Sequence, residues 1–331
     1  MNRLKVSVVI PVYNVGQYVE KCLLSVLAQS YTDLEIILID DCSADNSFEI
    51  CNQYASADHR IKLFRNSRNS GVSYTRNRAL DIATGAYITM IDSDDWIERD
   101  YVERMVQAME ATDADVCFCG YIKEFENEKK RRIYQITAET KKKTAREVLD
   151  CTVQKKVPFV GFACAKLYRK DVIDSVGLRY DPEISLFEDY LFNYTCLDYV
   201  QSCVLIEDCL YHYLIRSQSA TNSVNADKIK NKIHALQKSL KIAEKYPESV
   251  FYYRTTAKVL DAMIQYMSVL LMTTPDISAE QWREMMQPAK EMYCKTKKKY
   301  ICAGVRARYR LFSVSPKFAR FVLGVKERTK C

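Results

Sequence analysis

Glycine is scarce in this chain. Eight occur in 331 residues, at positions 16, 71, 85, 120, 161, 177, 304 and 324, and no two lie close together. That spacing excludes a G-x-G-x-x-G dinucleotide loop and a G-x-x-x-x-G-K-[ST] phosphate loop alike. A phosphorylated ligand would have to be held by something other than a glycine-rich cradle of backbone amides. Histidine is scarcer still (His59, His212 and His234), and the thirteen cysteines include no C-x-x-C. The Cys117–Cys119 pair therefore reads as core filling on one strand face rather than as half of a zinc site. No 18-residue uncharged apolar run exists. Val259 to Met272 comes nearest, but it contains Asp261 and reads as a buried helix. Neither a signal peptide nor a disulfide spacing is visible, so the expected location is the reduced cytoplasm.

Charge is present but unevenly spread. The net value is +7, yet residues 295–331 hold twelve Lys/Arg against the single acid Glu327, which is +11. The difference leaves about −4 for the other 294 residues. A mildly acidic body with a basic tail is not the even basicity of a nucleic-acid binder, so no nucleic-acid partner is expected. Between Arg306 and Val325 apolar residues recur at helical intervals, broken at Pro316. Such a stretch could lie on an anionic membrane surface, with rings at the headgroups and lysines near phosphates.

The densest chemistry sits in Ala86-Tyr87-Ile88-Thr89-Met90-Ile91-Asp92-Ser93-Asp94-Asp95. A β-prone run ends there in three carboxylates within four residues, and neighbouring like charges repel unless a cation sits among them. Carboxylate oxygens suit a hard ion, Mg²⁺ or Mn²⁺. A second acidic pair, Asp40-Asp41, closes the apolar run Leu34–Ile39.

Over the first 122 residues short apolar runs alternate with helical patterns, which predicts a mostly parallel sheet with helices on both faces. Both acidic clusters then fall at carboxyl ends of strands, the edge where open α/β sheets bind ligands. Lys123–Lys143 is charged and aperiodic and reads as a hairpin or surface insertion. Val157–Leu167 reads as a loop able to line a pocket, Leu186 to Tyr199 as an amphipathic helix, and Cys203–Ile206 and Cys209–Leu214 as two strands. After about Ala226 the pattern is helical. The expected division is 1–222, catalytic, and 223–331, a helical region ending in the basic tail.

Four stretches, VSVVIPVYN (6–14), LEIILIDDCSADNS (34–47), GVSYTRNRAL (71–80) and GAYITMIDSDDW (85–96), together resemble family 2 glycosyltransferases of the GT-A fold, of the bacterial surface-polysaccharide type. The match covers roughly residues 5–220, and Phe187-Glu188-Asp189 fits a fifth motif. The resemblance implies a Rossmann-like α/β domain and an inverting transfer from a nucleotide-diphosphate sugar, a UDP-sugar by family preference, to a glycan or lipid-linked acceptor. It puts Pro11 and Tyr13 beside the nucleobase, Asp41 on a pyrimidine N–H and Arg76 on the diphosphate. Asp92 would meet the ribose or the metal's waters, Asp94 would ligate Mn²⁺ or Mg²⁺, and Asp95 would support the site or face the donor sugar. Asp189 would be the general base, with Glu188 beside it. Arg216, in YHYLIRSQSATNS (211–223), and Lys166, in KLYR (166–169), are further candidates for donor or acceptor contact. Two alternatives stay open, a sugar nucleotidyltransferase and a non-catalytic scaffold that keeps the fold.

Overall fold

The computed structural model describes residues 4–126, 128–137, 142–153, 161–216, 225–274 and 277–322. The chain divides into two compact units, 1–222 and 223–331. The first alternates β1 (Val6–Val12), α1 (Val19–Leu27), β2 (Leu34–Asp40), α2 (Ser47–Ala57), β3 (Ile61–Arg65), α3 (Val72–Ile82) and β4 (Tyr87–Met90). It continues with β5 (Trp96–Ile97), α4 (Tyr101–Thr112), β6 (Val116–Phe125), β7 (Glu128–Tyr134), β8 (Lys142–Thr144) and α5 (Ala145–Val153). Then come β9 (Lys166–Arg169), α6 (Lys170–Ser175), α7 (Glu188–Tyr199) and β10 (Ser202–Ile215).

Among the described residues one sheet runs in the order β3-β2-β1-β4-β9-β6-β10-β5, with β7 beside β6 and β8 beside β10. Pairings β1–β2, β1–β4, β2–β3 and β6–β10 are parallel, and β9 is inserted antiparallel between β4 and β6. All seven residues of β2 and six of seven in β1 are buried. Successive residues point to opposite faces of a sheet, so burial of every one means that both faces are covered. Val8, Ile10, Leu38, Val19, Leu23, Met105 and Tyr211 belong to one continuous core.

Two expectations change at this level. Cys203–Ile206 and Cys209–Leu214 are parts of one strand, β10, because exposed Glu207 and half-buried Asp208 are absorbed at an irregularity in its pairing with β6 rather than in a turn. The loop expected over Val157–Leu167 has already become β9 by Lys166, and its first residues, 157–160, lie outside those described.

At the amino ends of the strands, opposite the acidic clusters, Glu35 of β2 is 3% exposed. It accepts hydrogen bonds from the Ser7 hydroxyl (2.5 Å), the Gly85 amide (3.0 Å), the Thr84 hydroxyl (2.9 Å) and the Lys62 ammonium (2.8 Å). Gly85 is required here, since a Cβ would stand 2.6 Å from the Ser7 nitrogen. Burial alone would raise the Glu35 pKa, but Lys62, Ser7 and Thr84 together hold it down at about 2, from an ordinary 4.5.

The second unit comprises α8 (Ala226–Ala243), α9 (Val250–Thr273), α10 (Ala279–Lys295), a 3-10 turn (Lys298–Tyr300), α11 (Ala303–Phe312) and α12 (Pro316–Val322). Ser278 and Gln281 form a capping box on α10, satisfying donors that its first turn would otherwise leave open. Val259–Met272 lies within α9, and no helix among the described residues is long and apolar enough to cross a membrane. The aromatic rings of the basic tail mostly turn inward, contrary to the membrane-facing pattern read from their spacing. Tyr300 stacks on Tyr253 (5.6 Å), Tyr309 on Tyr293 (4.1 Å), and Phe312 is buried against Trp282. Burying a ring against another ring removes more apolar area from water than leaving it in a polar stripe. Val314, Phe318 and Val322 remain exposed, and 323–331 lie outside the described residues.

Because the folded pKa of Glu35 is depressed, its stabilisation is present above about pH 4.5 and is lost as pH falls from there toward 2. Glu35→Gln should therefore flatten the acid dependence of stability in that window. Urea midpoints measured from pH 6 downward check this; a variant with the parent's slope refutes it.

Candidate active site

The carboxyl ends of β1, β2 and β4 carry Tyr13, Asp40-Asp41 and Asp92–Asp95 to one edge of the sheet. Tyr13 is 46% exposed and Pro11 half-buried, so the tyrosine ring is open to a flat ligand. Asp41 is buried and already engaged. It accepts from Asn66 Nδ2 (2.7 Å), the Ser70 amide (2.9 Å) and the Gly71 amide (2.8 Å), which fixes the turn leading into α3. Gly71 holds φ +86°, a conformation that disfavours a side chain.

Arg76, on α3, is 4% exposed and lies between two carboxylates. Nη2 meets Asp92 Oδ1 at 2.9 Å and Nη1 meets Glu188 Oε1 at 2.9 Å. Its guanidinium also rests 5.2 Å from the centre of the Tyr180 ring. Burial would lower its pKa, but Asp92, Tyr180 and Glu188 outweigh burial and hold it well above the ordinary value. The sequence placed Arg76 on a diphosphate; in this structure both ends of its fork are bound to carboxylates. It thereby joins the end of β4 to the start of α7.

The three neighbouring aspartates have separate partners. Asp92, the most open of them, gives Oδ1 to Arg76, and its amide donates to the Tyr211 hydroxyl (3.2 Å). Asp94 pairs with Arg216 at 2.7 Å, just past β10. Burial and Asp92 raise the Asp94 pKa, against the pull of Arg216. Asp95 is 1% exposed and accepts from the Tyr211 hydroxyl (2.6 Å) and the Leu214 amide (2.8 Å). It pins β10 to the acid-bearing loop, and burial together with Asp94 and Asp92 drives its pKa well up. Residues 217–223 of the stretch containing Arg216 lie outside those described.

Asp92, Asp95 and Cys164 have ligating atoms within 4.8 Å of one another. That trio does not suit a hard ion, because both Asp95 oxygens are occupied and the Cys164 thiol is buried, with its pKa driven up by burial. Asp92 and Asp94 fit better: two carboxylates on one turn, both partly exposed.

Across from them α7 begins at Glu188 and Asp189, preceded by Phe187 at φ +69°, a conformation unusual for an aromatic residue. Burial and Glu188 push the Asp189 carboxyl up to about 7, while Arg76 opposes the shift. A carboxylate at that value suits proton transfer near neutral pH. Lys166 proves to be interior rather than ligand-facing. Its ammonium donates to the Phe162 and Cys164 carbonyls, and burial lowers its pKa to about 8. The structure adds Asn193 and Tyr180, which no motif marked, and Tyr211, which lies in the stretch 211–223 but carries no assigned role there. The alternation Tyr211-His212-Tyr213, placing both tyrosines on one face of β10, was its only hint.

The family model described as Glycosyl transferase family 2 matches residues 7–177. Glycosyltransferase GlyG of Streptococcus pneumoniae is 31% identical over 224 residues, 65% of this chain and 72% of that protein. EpsJ of Bacillus subtilis, described as an uncharacterized glycosyltransferase, is 30% identical over 220 residues, 65% of this chain. The chain spans only 62% of EpsJ. Among solved structures, residues 1–349 of S. aureus TarS in complex with UDP-GlcNAc align with TM-score 0.69 and 17% identity. That alignment covers 98% of this chain and 93% of the other. Mannosyltransferase PcManGT of Pyrobaculum calidifontis, in complex with GDP-Man and Mn²⁺, aligns at 0.56 and 13% identity, over 99% of this chain and 89% of that one. At such identities the structural likeness speaks for the fold alone.

Arg76→Ala would leave Glu188 and Asp92 facing each other without their cation. The expected loss is on the order of 3 kcal/mol, partly recovered by Arg76→Met combined with Glu188→Gln, which removes the cation together with the more buried of its two carboxylates. Equilibrium urea unfolding measures both, and an Arg76→Ala variant as stable as the parent would show the bridge to be incidental.

Proposed function

Because the chain belongs to glycosyl transferase family 2, we propose that it transfers a hexosyl group from a uridine-diphosphate sugar to a hydroxyl of a glycan or lipid-linked acceptor, with inversion. One observation carries this reading. The Arg76 bridge holds the Asp92–Asp94 turn and the Glu188-Asp189 helix start on either side of one guanidinium. An anion-leaving side and a proton-accepting side are what displacement at an anomeric carbon needs.

Tyr13 and Pro11 border the base, and Asp41 keeps acceptor capacity on Oδ2 for a pyrimidine N–H beside its bond from Gly71. Asp92 and Asp94 would hold a divalent ion, Mn²⁺ or Mg²⁺, which would offset charge on the departing diphosphate. Arg216, paired with Asp94 just past β10, is the side chain that meets the diphosphate. Asp189 takes the proton of the attacking hydroxyl. With a pKa near 7 it is about half ionised at neutral pH and basic enough to accept. Glu188, bound to Arg76, keeps α7 in register and raises the basicity of its neighbour.

Asp94→Asn should abolish the metal dependence of UDP-sugar binding in calorimetry while leaving the fold intact. Asp189→Asn should bind donor but lose ~10²–10⁴-fold in rate. In the parent, kcat/KM should rise with pH through about 7 and then level, because only the ionised base accepts a proton. Metal-dependent binding equal to the parent's in Asp94→Asn, or a rate near the parent's in Asp189→Asn, would reassign these roles.

Attachment to the inner face of the cell membrane is the reading for the tail, resting on exposed Val314 and Phe318 beside exposed Arg310 and Lys317. Flotation of the full chain with anionic vesicles, released by salt, supports it; equal flotation with neutral vesicles refutes it.

A further inference from the structure

Lys166 and Asn193 are almost completely buried polar side chains that take no part in the proton transfer or the charge balance described above. Both are spent on one backbone carbonyl. Lys166 donates to the Phe162 oxygen, and Asn193 Nδ2 donates to the same oxygen at 2.9 Å. Asn193 Nδ2 also donates to the Asp189 carbonyl at 2.8 Å, and its own carbonyl accepts from the Tyr168 hydroxyl at 2.6 Å. Gly161 lies flat on Tyr190, where a Cβ would come within 2.7 Å of the ring. The backbone at Phe162 is thus locked to the start of α7, one residue type after another, while the Phe162 side chain is left 38% exposed.

The ring does not stand alone. Its centre lies 6.2 Å from that of Tyr213, which shares a face of β10 with Tyr211 and hence with the acid-bearing turn. Lys123 of β6, the register partner of Tyr213, extends its ammonium over the Tyr213 ring (5.8 Å) and over the Tyr134 ring of β7 (5.3 Å). Tyr134 in turn stacks on buried Tyr121 at 4.6 Å. Phe162, Tyr213 and Tyr134 therefore form a row of rings. It starts beside the helix turn that carries Asp189 and runs to the base of the β6–β7 hairpin, with one cation set between the last two rings.

We propose that this row is the acceptor subsite and that the acceptor is a glycan of at least two pyranose units, the first lying on Phe162 and the next toward Tyr134. This rests on the transferase reading and goes beyond it by naming the acceptor class. The apolar C–H face of a pyranose matches the negative face of an aromatic ring, whereas an acyclic polyol offers no such face. Seating the first ring on Phe162 brings its free hydroxyl to the side of the site where Asp189 accepts the proton. Lys123 meets ring oxygens or an acidic substituent of the following sugar.

The full chain is assayed with UDP-glucose, UDP-galactose and UDP-N-acetylglucosamine as donors. Acceptors are methyl pyranosides, β-linked disaccharides of the same sugars, and ribitol phosphate as an acyclic competitor. Pyranosides should accept, and disaccharides should show a KM several-fold below that of the matching monosaccharide. Phe162→Ala should lower the ratio of transfer to donor hydrolysis at least tenfold with every sugar acceptor, and Phe162→Trp should restore it. Tyr134→Ala should remove the advantage of disaccharides and leave the monosaccharide ratio alone. Transfer confined to ribitol phosphate, or a ratio unchanged in Phe162→Ala because transfer and hydrolysis fall together, overturns the proposal. Hydrolysis of the donor by water needs no acceptor. A parent that hydrolyses a UDP-sugar but ignores every pyranoside therefore refutes the subsite alone, and a parent that neither binds nor hydrolyses any UDP-sugar refutes the transferase reading first.

Discussion

One buried guanidinium organises this molecule. Arg76 touches Asp92 at the end of β4 and Glu188 at the start of α7, residues far apart in sequence, and it does so with both ends of a rigid fork. A lysine could not reproduce that, since a point charge on a flexible stem fixes neither angle nor distance between two carboxylates. Arginine stays charged where burial would discharge most bases, and the low dielectric that makes its isolation expensive also strengthens its two bonds. The position of Asp189 relative to the sheet follows from this contact.

The acidic edge shows how a protein keeps several carboxylates close to one another. Each has been given a different neutraliser: Arg76 for Asp92, Arg216 for Asp94, and Tyr211 with the Leu214 amide for Asp95. Three of those partners, Tyr211, Leu214 and Arg216, come from β10 and the residue just beyond it, so the strand is held to the site by the charges it quenches. Asp95 is structural in this arrangement, buried and fully hydrogen-bonded. Asp92 and Asp94 are the pair whose partners are full cations, Arg76 and Arg216.

The basic region of the second unit illustrates the opposite case. Its aromatic spacing suggested rings facing outward, yet Tyr300, Tyr309 and Phe312 pack against Tyr253, Tyr293 and Trp282. Helical periodicity says which residues share a face; it does not say what that face meets. In this unit the face meets another helix, and the charges are left on the outside.

Several features were settled by the chain itself. Continuous apolar runs required strands covered on both faces, and their alternation with helical patterns gave the α/β order. The four motifs gave the family, and the acids at strand ends gave the edge where chemistry gathers. These are local properties: a run, a period, a cluster within ten residues. The sequence could not show that Arg76 would be divided between Asp92 and Glu188, nor that Lys166 would turn inward to hold the Phe162 carbonyl. Nor could it show that Glu207 and Asp208 would be absorbed within one long strand. The first depends on which charges the tertiary fold sets face to face across more than a hundred residues, the second on the burial of β9, and the third on the pairing of β10 with β6. No local pattern encodes any of these.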